Sequence, residues 1–85
     1  MTYTVCWNAS PEQALIAHRT DASSEDRGRI TSAVATIELA LRERPLSVGF
    51  EHKLGLRTVI AHPVAIEFSV DDDDRKVTVL TILFE

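Results

Sequence analysis

Arg57, His62 and Glu67 are the residues of this chain whose types could do chemistry together. They are a permanent cation, an imidazole and a carboxylate, carried by two adjacent strand-like segments and the turn between them. A carboxylate such as Glu67 can act as general base, and a histidine such as His62 can return the proton as general acid. An arginine such as Arg57 can grip an anionic partner. Each residue also has a plainer reading. Arg57 suits a solvated or ion-paired strand position, Glu67 a surface carboxylate on a half-buried strand, and His62-Pro63 a turn.

Other reactive types are less promising. His18, His52 and His62 are the only histidines, and no pair has the close spacing of a zinc motif. Cys6 is the single cysteine, so no intramolecular disulfide can form and no activating base can be assigned to it. A small buried hydrophobe is its simplest role. Asp71-Asp72-Asp73-Asp74-Arg75 suggests calcium, but the EF-hand pattern requires a glycine and a closing glutamate that are not here. A solvated hairpin turn beside Arg75 and Lys76 fits better. No metal and no cofactor is expected.

These residues belong to one small domain of 85 residues, 45% hydrophobic and 26% charged, which is the composition of a folded protein. The net charge of -4 argues against a generic phosphate-binding surface. Lys53, Arg57, Arg75 and Lys76 are diluted by neighbouring acids and make no basic stripe. The N-terminus lacks the pattern of a secretory leader, and no apolar run is long enough to span a bilayer. The expectation is a soluble, cytoplasmic protein without membrane partners.

The elements that would position the chemistry are legible from periodicity. Thr2–Trp7 alternates as a first strand, with Tyr3, Val5 and Trp7 on one face. Ser10-Pro11-Glu12-Gln13 predicts a helix start with a Ser cap, and the helix should run to Arg19 or Thr20. Ser23 or Ser24 should cap a second helix, whose Ile30, Val34, Ile37 and Leu41 recur on one face before Pro45 stops it. Gly28 suggests that this helix settles only from Arg29 onward. Pro45–Lys53 reads as an irregular connection. Three strands follow, at Leu56–Ala61, Val64–Asp71 and Lys76–Phe84. In the second of them Val64, Ile66, Phe68 and Val70 alternate with polar or small residues, so one face is buried.

The last strand, Lys-Val-Thr-Val-Leu-Thr-Ile-Leu-Phe, is apolar or Thr on both faces and should be central. Strict alternation puts Val77, Val79, Thr81 and Leu83 on one face and Thr78, Leu80, Ile82 and Phe84 on the other. The expected fold is a two-layer α+β domain in the order β-α-α-β-β-β, with a helical pair on one face of a mainly antiparallel sheet. Such a fold leaves one sheet face without helices. Leu80, Ile82 and Phe84 would make an apolar patch there, to be covered by a partner, by a second copy of the chain as a homodimer, or by the Pro45–Lys53 connection.

Taken together, the ordered elements resemble the RelE/ParE superfamily of bacterial toxins from type II toxin–antitoxin systems, over essentially the whole chain. Tyr3-Thr4-Val5-Cys6-Trp7 is similar to the opening Tyr-x-Val-x-Trp strand, and the Ile/Val/Leu stripe closed by Pro45 to the second helix. Gly55-Leu56-Arg57-Thr58-Val59 matches a Gly-x-Arg-x-Leu/Val strand. Pro63, Ile66-Glu67-Phe68-Ser69-Val70, Asp71–Asp74 and Val77-Thr78-Val79-Leu80 match the turn and strands after it. The resemblance implies that the first strand flanks the last, that Glu67 lies near the family's site, and that Arg57 grips an anionic partner.

The departures bear on mechanism. Nuclease members carry an arginine in a Tyr-Arg-x-x-Tyr pattern where this chain reads Val64-Ala65-Ile66-Glu67-Phe68, and the chain ends at Phe84-Glu85 without their basic tail. Of the cations that would stabilise charge on a phosphate, Arg57 alone is matched. The resemblance therefore implies a toxin-like protein that acts by binding, neutralised by a cognate antitoxin and directed at gyrase or the ribosome. Arg57, Leu80, Ile82 and Phe84 are the partner-binding candidates. The enzyme alternative is a ribosome-dependent mRNA endonuclease with a rebuilt site of Arg57, His62 and Glu67. A non-toxic dimerising interaction module is the third.

Overall fold

A computed structural model describes residues 2–85. The chain forms β1 (Thr4–Trp7), α1 (Ala9–Asp21), α2 (Ser24–Glu43), β2 (Phe50–Lys53), β3 (Leu56–Ala61), β4 (Val64–Asp71) and β5 (Lys76–Phe84). The five strands make one sheet in the order β1-β5-β4-β3-β2. β1 runs parallel to β5, and the remaining neighbours are antiparallel. This is the expected two-layer α+β architecture with one strand more, because Phe50–Lys53 is an edge strand rather than irregular chain. Its Phe-Glu-His-Lys sequence has no run of β-formers, and pairing with β3 creates it.

The helices form as their ends dictate, with two differences. α1 begins at Ala9 behind Asn8 rather than behind a Ser10 cap, and no side chain caps it. The Asn8 N–H is already bonded to the Val79 carbonyl oxygen at 3.1 Å, so the chain turns into the helix as it leaves β1. α2 begins behind Ser23, whose Oγ accepts from the Asp26 N–H at 3.2 Å, and Gly28 lies within it. Three i→i+4 turns on that face bury Ile30, Ala33, Val34, Ile37 and Leu41.

The core lies between α2 and one sheet face. Ile66, Phe68, Val77 and Val79 are fully buried there, and each such side chain contributes about 1.5–3 kcal/mol. Val48, from the loop before β2, closes the edge of this core. α1 covers the far end of β5, where His18 stacks on Phe84 with ring centroids 3.9 Å apart.

β5 departs from strict alternation. Glu67 pairs with Thr81 and Phe68 with Val79, so Leu80 is an additional residue in a β-bulge. Past it the faces exchange. Val77 and Val79 face the helices before the bulge, and Ile82 and Phe84 after it. The expected apolar patch of Leu80, Ile82 and Phe84 therefore does not form on the open side. Ile82 is buried in the core, and Leu83 takes the outward position, 63% exposed. Cys6, expected as a buried hydrophobe, is only half-buried, on the edge strand β1 opposite Thr78.

At the other end of the sheet, the Asp71–Asp74 turn is tied to the first strand. The Tyr3 hydroxyl donates to Asp72 Oδ1, and Arg75 Nη1 donates to the Tyr3 oxygen at 2.9 Å. Arg75 adopts a left-handed φ of 51°, and its guanidinium lies 5.2 Å from the centre of the Tyr3 ring. The hydrogen bond to Asp72, and then burial, raise the Tyr3 pKa above the ordinary 10.0, with Arg75 opposing.

Candidate functional site on the open face of the sheet

The three residues with matching chemistry are not brought together. Cross-strand register sets Arg57 opposite Phe68 and Thr58 opposite Glu67. Phe68 points into the core, so Arg57 lies on the helix side and Glu67 on the open side. The Arg57 guanidinium is spent on the loop before β2. Nη2 donates to the Val48 carbonyl oxygen at 3.1 Å and to that of Gly49 at 3.4 Å, and Nε to Val48 at 3.3 Å. His62 sits beyond the end of β3, where its Nε2 is 3.4 Å from Glu85 Oε2. A catalytic group of Arg57, His62 and Glu67 does not exist in this fold.

Glu67 has a different partner. His52 Nε2 stands 2.8 Å from Glu67 Oε2, and His52 Nδ1 is 3.2 Å from Thr58 Oγ1. Both side chains of the pair are about 70% buried, with exposures of 29% and 30%. β2 supplies His52 through a register shift between Glu51 and Lys53, which makes His52 an extra residue against β3. Sequence reasoning missed this residue because β2 itself carries no strand signal. Fifteen positions separate His52 from Glu67, and only the β2–β3–β4 pairing closes that gap.

The pair borders a hollow of about 220 Å³ whose other walls are Thr58, Ala65, Ile66, Thr81 and Leu83. No lysine or arginine lines it. Glu67 is its fixed charge. Beside it, Ile60, Ala65 and Leu83 stand in register across β3, β4 and β5, forming an apolar row on the open side. Ile60 and Leu83 are both exposed. An imidazole and a carboxylate in contact can move a proton. Phosphate charge, by contrast, would meet no fixed cation within the hollow.

Among the described residues no group of three His, Cys, Asp or Glu side chains is placed to hold a metal ion. No helix is long and apolar enough to cross a membrane.

Comparison with solved structures settles the architecture. A chain of the RelBE2 toxin–antitoxin complex of Mycobacterium tuberculosis superposes with a TM-score of 0.75 over 100% of both chains, at 17% identity. The fold is that of the RelE toxins. The isolated RelE toxin of E. coli superposes with a TM-score of 0.57, at 11% identity, over 96% of this chain and 83% of that one. Models of known protein families match nothing in the chain, and no curated protein matches it in sequence. Within the RelE-like fold, the His52–Glu67 pair and the apolar row occupy the side of the sheet that the two helices leave open.

Proposed function

We propose that this chain is the toxin-like component of a bacterial type II toxin–antitoxin system, acts by binding a cellular target, and is held by a cognate antitoxin. The observation that carries the reading is its superposition over 100% of both chains on a chain of a toxin–antitoxin complex. The binding mode is supported by the site. Arg57 is committed to the Val48 and Gly49 carbonyls, and no lysine or arginine lines the hollow on the open face. Stabilising a phosphorane-like transition state without such a group would forgo the largest electrostatic contribution to RNA cleavage.

The test is tightly induced expression in a bacterial host, alone and with the gene next to this one. Growth arrest relieved by the neighbouring product is the expected result, and DNA topology and RNA integrity in the arrested cells then separate gyrase from the ribosome as target. Normal growth with folded protein present in the cells would overturn the reading.

One observation favours a second reading, that of a ribosome-dependent mRNA endonuclease. His52 and Glu67 form an acid–base pair in a hollow, and the ribosome would have to supply the missing cations. Cleavage on purified translating ribosomes, lost in His52→Gln and Glu67→Gln, would establish it over the binding mode.

A further inference from the structure

The open face of the sheet juxtaposes two kinds of surface that a single partner segment could engage. Ile60, Ala65 and Leu83 make an apolar row three strands wide, about 10 Å across at ordinary strand spacing. One side-chain row along, about 7 Å away, Thr58, Glu67 and Thr81 make a polar row. The hollow lies between them. His52 engages Oε2 of Glu67, and a carboxylate can accept at both oxygens. The site is thus acidic beside apolar, in a chain whose net charge is -4.

These charges discriminate among occupants. Nucleic acid would bring phosphates to a hollow whose fixed charge is negative. A second copy docked across a two-fold axis on this face would bring Glu67 towards its own equivalent, a like-charge contact that disfavours the pairing. A polypeptide with an apolar side chain and a cation meets both rows. We infer that the open face docks a partner-protein segment that seats one apolar side chain on the Ile60–Ala65–Leu83 row and sets one lysine or arginine against Glu67.

The 7 Å row spacing gives the segment a signature. Its apolar and basic residues stand at i and i+2 if it is extended, or at i and i+4 on one helix face. The toxin–antitoxin reading is needed only to name the segment's owner, the antitoxin; the surface itself does not depend on it.

The experiment pans a displayed library of random linear peptides against the full chain, and measures the enriched peptides against Glu67→Lys, Leu83→Asp and Ile60→Asp. Leu83 and Ile60 are exposed, so their variants keep the core intact, and thermal melts monitor the fold. The expected result is peptides with the apolar–basic pattern whose affinity falls about tenfold or more in each variant. The inference is overturned by acidic peptides, by binding indifferent to the variants, or by no enrichment. Binding of an RNA oligonucleotide that Leu83→Asp abolishes, or a dimer that it dissociates, overturns it equally.

A parallel arm uses the neighbouring gene product. If that product neutralises the chain yet binds all three variants unchanged, the surface assignment falls and the toxin–antitoxin reading stands. If no neighbour neutralises it while displayed peptides behave as expected, the reading falls and the surface stands.

Discussion

Arg57 reaches from β3 to the Val48 carbonyl oxygen at 3.1 Å, on the side of the sheet away from Glu67. The contact makes this arginine a clasp on the loop that delivers β2, and through β2 the His52 side chain. Arg57→Ala should therefore destabilise the protein by about 1–3 kcal/mol, since it leaves two backbone carbonyls without their donors. Arg57→Lys should recover less than half, because an ammonium cannot reproduce the fork. Urea unfolding measures both. An unchanged midpoint for Arg57→Ala would show that the guanidinium is free for a partner after all.

Tyr3 offers a titration that reads one residue, because it is the only tyrosine in the chain. Its hydrogen bond to Asp72 favours the protonated hydroxyl, so phenolate absorbance should appear with a midpoint above 10.0. Asp72→Asn should bring that midpoint down. The sign for stability follows from linkage. A folded-state pKa raised above the unfolded one gives stability that is complete below about pH 10 and lost as pH rises through the folded value. Near neutral pH, far below that range, this group should contribute no pH dependence. A midpoint at or below 10 would remove Asp72 as the tyrosine's partner.

Two glycines should respond in opposite directions to the same change. A Cβ on Gly49, whose φ is 68°, would lie 2.0 Å from the Thr58 carbonyl oxygen, so Gly49→Ala must displace backbone where β2 begins. The expected loss is about 2 kcal/mol or more, with His52 displaced from Glu67 as a consequence. A Cβ on Gly28 meets nothing within 4 Å, inside α2. Gly28→Ala should add about 0.5–1 kcal/mol from helix propensity alone. Paired denaturant titrations test the contrast, and equal effects would contradict it.

How much of this was legible depends on whether a residue's role is set by its own segment. The α2 stripe of Ile30, Val34, Ile37 and Leu41 is local, and it is buried as its period requires. The alternation in β4 is local too, and Glu67 faces away from Ile66 and Phe68 as it implies. His52 could not be found in this way, because its position comes from a bulged edge strand that exists only once β3 is beside it. The wrong face for Ile82 and Phe84 has the same origin. A bulge is a property of a strand pair, and nothing in Val-Leu-Thr-Ile marks Leu80 as the residue left over.

Neighbouring substitutions on β5 test that bulge directly. Ile82 is 7% exposed and packs into the core, so Ile82→Ala should cost about 2–4 kcal/mol. Leu83, the next residue, is 63% exposed, and Leu83→Ala should change stability by less than about 0.5 kcal/mol. Uninterrupted alternation from Val77 would reverse the two, placing Leu83 with Val77 and Val79 under the helices. Thermal or urea unfolding of the two variants therefore reads which face each residue occupies. A large loss for Leu83→Ala with little for Ile82→Ala would return Ile82 and Phe84 to the open side, and with them the apolar row that adjoins Glu67 would have to be redrawn.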